Sequence, residues 1–85
     1  MKSFNYVITD PIGIHVRPAG MLVREAHNYA SAISIVKGGK KADARKLIVL
    51  MSLGIKCGDE ITVEVEGEDE ETAVSAMEAF FKKNL

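Results

Sequence analysis

The stretch Gly13-Ile14-His15-Val16-Arg17-Pro18-Ala19 holds the side chains of this 85-residue chain best suited to chemistry. An apolar pattern of helical period begins directly after it, which places His15 at a helix N-cap. The first backbone N–H groups of a helix have no partner within it, and the helix dipole puts about half a positive charge there. An anion held ahead of Val16 and Arg17 would meet both effects. Arg17 adds a forked guanidinium suited to phosphate oxygens. A free imidazole titrates near ~6.5, so much of it is neutral and nucleophilic at pH 7. These parts can form and hold a phosphorylated histidine. Transfer of that group needs in-line positioning and charge stabilisation more than covalent help, and an exposed loop leaves the far side open to a second nucleophile. On residue types alone, a polar N-cap on a solvent loop is the favoured reading.

The elements that must position this stretch follow from apolar spacing. Phe4, Tyr6 and Ile8 share one side of residues 2–8, with Ser3, Asn5 and Val7 on the other, a half-buried strand broken by Asp10-Pro11-Ile12-Gly13. Ala19, Leu22, Val23, Ala26 and Ala30 form one helical stripe, with Gly20, Arg24 and His27 at its border and Glu25 and Asn28 toward water. Pro18 then belongs to the first turn, where its missing N–H costs nothing. Ile33 and Ile35 mark a second strand, Gly38-Gly39 a hairpin turn, and residues 40–43 a short returning strand. Residues 46–53 fit a strand or a short helix. Gly54 as a C-terminal stop favours the helix. Ile61, Val63 and Val65 point inward from a strand over 60–66. Asp69 caps a last helix whose inner face is Ala73, Val74, Met77, Phe80 and Phe81. The order β-α-β-β-α-β-α predicts an α+β open-faced sandwich, a four-stranded sheet with three helices on one face.

Composition narrows the function classes. Eleven basic against twelve acidic residues give no global attraction to nucleic acid or a membrane surface. The lone Cys57 excludes an internal disulfide and suits a reducing compartment. No signal peptide or membrane span is legible, so a cytoplasmic location and a single domain over 1–85 are expected. No spacing of ligands suggests a metal, and no cofactor motif is present. Lys40-Lys41 follows a diglycine without the pattern of a phosphate loop and reads as a solvated hairpin. His27 reads as a surface histidine and Cys57 as a loop thiol.

The stretch 13–19 resembles the active-site signature of HPr, the histidine-containing phosphocarrier family of the bacterial phosphoenolpyruvate-dependent sugar phosphotransferase system. A second stretch, Leu47 through Met51-Ser52-Leu53-Gly54, resembles the same family at the same spacing, and element order and length agree over the whole chain. The resemblance implies an antiparallel sheet. It implies that His15 takes a phosphoryl group on Nδ1 from enzyme I and gives it to IIA components, with Arg17 as charge partner. It thus implies a carrier that turns over only with its partners and is not a stand-alone catalyst. Lys46 stands where many relatives carry a kinase-regulated serine, and it has no hydroxyl. A regulatory binding module, or a paralogue serving a non-sugar branch, is the alternative.

Two further features concern partners. Leu47, Ile48 and Met51 lie on a helix too short to bury every side. With Leu50 and Leu53 inward, Ile48 and Met51 must be at least partly exposed. Adaptable apolar side chains beside the histidine suggest a docking patch, which the resemblance extends to Gly20, Met21 and Arg24. Arg45 and Lys46 oppose the dipole of that helix and read as a solvated pair; contact with an acidic partner is the sharper reading. A carrier that shows one face to successive partners is expected to be a monomer.

Overall fold

The computed structural model describes residues 1–85. Strands β1 (Lys2–Val7), β2 (Ala32–Lys37), β3 (Lys40–Asp43) and β4 (Glu60–Glu66) make one sheet in the order β1-β4-β2-β3. Every neighbouring pair is antiparallel. Helices α1 (Val16–Ala26), α2 (Leu47–Met51) and α3 (Glu70–Asn84) complete the expected order.

Period-two spacing puts the apolar residues of each strand on one face, and register brings them together. Ile35 lies opposite Val63 and Ala42, and Ile33 opposite Val65. Phe4 and Tyr6 lie opposite Val63 and Ile61. The helices close this face with Ala19, Leu22 and Ala26 from α1, Leu50 from α2, and Ala73, Met77 and Phe81 from α3. The fully buried Phe81 ring meets Phe4, Tyr6 and Phe80 edge-on, at centroid distances of 6.0, 5.6 and 6.0 Å. Edge contact sets the positive rim of one ring against the negative face of another.

The structure corrects four expectations, three of them through polar contacts. α1 stops at Ala26, so Ala30 lies beyond it and is exposed rather than part of the apolar stripe. The connection after α1 is drawn off by charged groups from elsewhere in the chain. The Arg45 guanidinium, expected in solvent, is half-buried and donates to the carbonyls of Ala26, Tyr29 and Ser31. A cation at a helix C-terminus meets the favourable end of the dipole. Asp69 occupies the N-cap position of α3 but makes no side-chain cap there. Its carboxylate accepts instead from Ala30 N and Ser31 N, both at 2.9 Å, and from the Ser31 hydroxyl. Glu25, expected in water, is half-buried and accepts from the Tyr29 hydroxyl at 3.0 Å.

A second set of contacts fixes the loop that precedes α1. Lys37 Nζ donates to Gly54 O at 2.8 Å and pairs with Asp59 at 3.0 Å, tying the β2–β3 hairpin to residues 54–59. Lys56 N and Lys37 hold the Asp59 carboxyl below its ordinary range. This segment exchanges bonds with Ile8, from Ile8 N to Asp59 O and from Gly58 N to Ile8 O. It also receives Ile14 N on Ile55 O at 3.1 Å. Gly13 has φ +83°, and a Cβ on it would lie 2.5 Å from Ile55 O and 2.7 Å from Lys56 Cα. Only glycine permits both the backbone angle and the approach.

Two outcomes test these contacts. The Ser31 hydroxyl and then Ala30 N–H hold the Asp69 carboxyl below its ordinary 3.8. A carboxyl depressed in the folded state stabilises above its unfolded pKa, and that stability is lost as pH falls through the folded value. Asp69→Ala is expected to lower the urea midpoint at pH 7, with the gap to wild type closing as pH drops below 3.8; a gap independent of pH would count against the staple. Gly13→Ala is expected to cost upwards of about 1–3 kcal/mol through its positive φ alone. Amide exchange at Ile14 should accelerate in that variant, and unchanged protection there would contradict the close approach.

Candidate functional site

His15 sits at the N-cap of α1 in extended backbone conformation, φ −107° and ψ −176°. Its carbonyl accepts Ala19 N–H at 2.9 Å, which closes the first helical turn. Its ring makes no capping bond and is half-exposed. Burial on both sides holds the residue. Ile14 before it is buried, and Pro18 and Ala19 after it are buried, so the chain is pinned immediately up- and downstream. Proline at the third helical position takes the helix start without leaving an N–H idle. The N–H groups of Val16 and Arg17 have no intrahelical acceptor. Val16 and Arg17 are exposed, and Arg17 lines the same depression as His15.

The site is an open depression of about 370 Å³, lined by Asp10, His15, Arg17, Pro18, Met21 and Asn84. His15, Arg17 and Met21 were legible in the sequence as chemistry or surface. Asp10 was legible only as part of a turn, and Asn84 not at all. They arrive because the end of α3 returns to the β1–α1 loop. Thr9 N, Asp10 N and the Thr9 hydroxyl all donate to Leu85 O, at 2.6, 2.8 and 2.9 Å. Asn84 Nδ2 donates to Phe80 O at 3.1 Å, which keeps its side chain against α3. No short-range pattern signals a contact across more than seventy residues.

The apolar residues singled out on α1 and α2 lie on two adjacent helices. Ile48 is 77% exposed, and Met21 and Met51 are 39% and 37% exposed. Leu50 and Leu53 are buried, as the short helix requires. Gly20 is half-buried with open space above its Cα, and Arg24 is exposed. Leu47 is half-buried and packs on the core, so it offers less surface than its neighbours. Val16 and Val49 add exposed apolar area at 60% and 43%. Sequence reasoning passed over that contribution, because a lone exposed valine has no distinguishing signal. Lys46, at the N-cap of α2, is exposed and makes no side-chain cap. Its neighbour Arg45 is taken up by α1, so the expected solvated pair reduces to one free cation.

His27 is exposed at the end of α1, with Nδ1 2.8 Å from Val23 O. Cys57 is exposed, its Sγ 3.9 Å from Thr9 O. Lys41 reaches back from the hairpin to Glu64 at 3.0 Å. No helix is long and apolar enough to cross a membrane.

A family model described as the PTS HPr component phosphorylation site matches residues 2–83. The chain is 45% identical over 85 residues to phosphocarrier protein HPr of Mycoplasma genitalium, covering 99% of this chain and 97% of that one. It is 42% identical over 77 residues to HPr of Lysinibacillus sphaericus, covering 91% and 88%. Among solved structures it resembles a mycoplasma histidine-containing phosphocarrier protein, with a TM-score of 0.93 at 33% identity over 96% of this chain and 93% of the other. HPr of Bacillus anthracis superposes with a TM-score of 0.87 at 34% identity, over 94% and 95%. A dimer of HPr from Thermoanaerobacter tengcongensis is similar too, with a TM-score of 0.77 at 34% identity over 98% and 95%. With fold, helix-capping histidine and full-length similarity in agreement, this chain belongs to the HPr family of phosphocarrier proteins of the phosphotransferase system.

Proposed function

We propose that His15 is the phosphoryl-carrying residue, loaded by enzyme I and unloaded by IIA components for sugar uptake. The observation that carries this reading is the half-exposed His15 ring at the start of α1, with unpaired N–H groups and Arg17 next to it. In the loading step the Nδ1 lone pair forms an N–P bond as the donor's bond to phosphorus breaks, its electron pair staying with the donor. Nε2 keeps its proton through that step. The charge on the three phosphoryl oxygens is met by the helix N-terminus and the Arg17 guanidinium. Unloading reverses the sequence toward a different nucleophile. The chain turns over only with its partners, in the cytoplasm, as a monomeric single domain over residues 1–85.

Partner contact falls to the exposed apolar residues of α1 and α2. Met21, Ile48 and Met51 supply flexible apolar area beside the histidine, and Gly20 lets a partner backbone come close. Arg24 and the free Lys46 bracket that area with positive charge, which suits partner surfaces carrying carboxylates. Lys46 offers no hydroxyl for a kinase, and Ser52 lies at the far end of α2. Seryl control at the start of this helix therefore does not belong to the proposed role.

Mixed with phosphoenolpyruvate, magnesium and enzyme I, the chain is expected to gain one acid-labile phosphoryl group by intact mass. His15→Ala should gain none. An acid-stable gain that survives in the variant would place the group on a hydroxyl and overturn the assignment. Arg17→Gln should fold normally and slow transfer on the order of tenfold or more, since one charge-assisted donor set is lost. Ile48→Asp is expected to weaken partner affinity roughly tenfold at unchanged thermal stability, measured by titration calorimetry against enzyme I. Equal affinity would remove α2 from the docking surface.

A further inference from the structure

Asp10 supplies the only carboxylate among the six residues lining the depression that holds His15. Its position is firmly held. Asp10 N donates to Leu85 O at 2.8 Å, and its carbonyl accepts Gly13 N–H at 3.0 Å. Its Oδ1 accepts Ile12 N–H at 2.9 Å, an Asx turn that leaves the second carboxylate oxygen for solvent. The turn that presents His15 thus also fixes a negative charge on the wall of the same depression. The Debye length is roughly 8 Å at physiological ionic strength and lengthens as salt is lowered. Charges on the walls of the depression face one another across solvent, so their interaction is partly screened at physiological ionic strength and strengthens at low salt. A phosphoryl group there brings a charge of about −1.5 to −2.

We propose that Asp10 tunes the phosphoryl-transfer potential of His15: its carboxylate repels the bound phosphoryl group and so favours the group's departure. The inference rests on the reading of His15 as the phosphoryl carrier. On unloading, the N–P bond breaks and its electron pair returns to the imidazole nitrogen. The acceptor's nucleophile forms the new bond to phosphorus, and its proton, where it has one, goes to solvent. Two fixed negative charges are thereby separated, which a neutral residue 10 would not reward. The helix N-terminus and Arg17 attract the same oxygens, so the site holds the group against an opposing charge instead of trapping it. Asp10 touches no reacting atom in this account. It is a positioned charge acting through space.

Asp10→Asn keeps an oxygen for Ile12 N–H and removes the charge; Asp10→Ser keeps the turn by a shorter acceptor and serves where the first variant folds poorly. Each full-length chain is equilibrated with enzyme I and magnesium at a fixed ratio of phosphoenolpyruvate to pyruvate, and the phosphorylated fraction is read by intact mass. At low salt the ratio of loaded to free chain should rise roughly two- to fivefold in both variants, and the difference should fade in about 1 M salt. No difference at low salt, or a difference that salt leaves untouched, would overturn the role of Asp10 while leaving His15 as carrier. A wild-type chain that gains no phosphoryl group would overturn the reading of His15 first, and this inference with it.

Discussion

The close packing of Gly13 and Ile14 on the backbone of Ile55 and Lys56 is the constraint on which the candidate site depends. An exposed histidine on a connecting loop would ordinarily sample many positions, and ordering it would cost entropy each time a partner bound. Here one hydrogen bond, one glycine that admits the neighbouring chain and one buried isoleucine fix the loop directly before the ring. The platform is itself secured. Residues 54–59 are tied to β2 through Lys37 and to the end of β1 through Ile8. The order of the site thus derives from the sheet, although no strand residue lines the depression that holds His15.

The same division between a simple core and polar fasteners governs the rest of the fold. The apolar face of the sheet explains why three helices gather on one side, but it does not say where each connection runs. Asp69 and Arg45 settle that for residues 26–31, from opposite directions in the sequence. Ser31, fully buried, gives up its hydroxyl and N–H to Asp69, and its carbonyl to Arg45. Gly67 allows the turn before α3 to come this close, since a Cβ there would fall 2.6 Å from Ser31 Cα. A buried serine with every group satisfied is cheap to bury, whereas one partner lost would leave a buried polar atom unpaired.

Element type and order were legible because period-two and helical spacing are local properties; only residues 46–53 lacked one clean apolar face, and there Gly54 decided for the helix. The N-cap position of His15 was legible for the same reason, from the helical stripe that follows it and from Pro18 in the first turn, whereas its reading as a phosphoryl carrier with Arg17 came from the family resemblance. Ile48 followed from a counting argument, since a short helix with Leu50 and Leu53 inward cannot hide every side. The misjudged residues share a different trait. Arg45 and Asp69 each have a plausible local duty, as a solvated charge and a helix cap, and neither performs it. Their actual partners lie 14 to 39 residues away in sequence. Charged side chains have several acceptable local fates, and tertiary structure chooses among them.

The arrangement around His15 is well suited to a group that must be held and then released. A deep, fully complementary anion pocket would bind phosphate tightly in the ground state and oppose its departure. In the proposed reading the chain avoids this in two ways. The depression is open, so the helix N–H groups and Arg17 act partly through water and cover the anion from one side. The apolar surface of α1 and α2 lies where a docked partner would displace that water. Exclusion of water strengthens each electrostatic contact in the closed site. Stabilisation then grows during transfer and weakens once the partners separate. This physical logic requires Ile48 and Met51 to remain outside the core, although burying them would have added to stability.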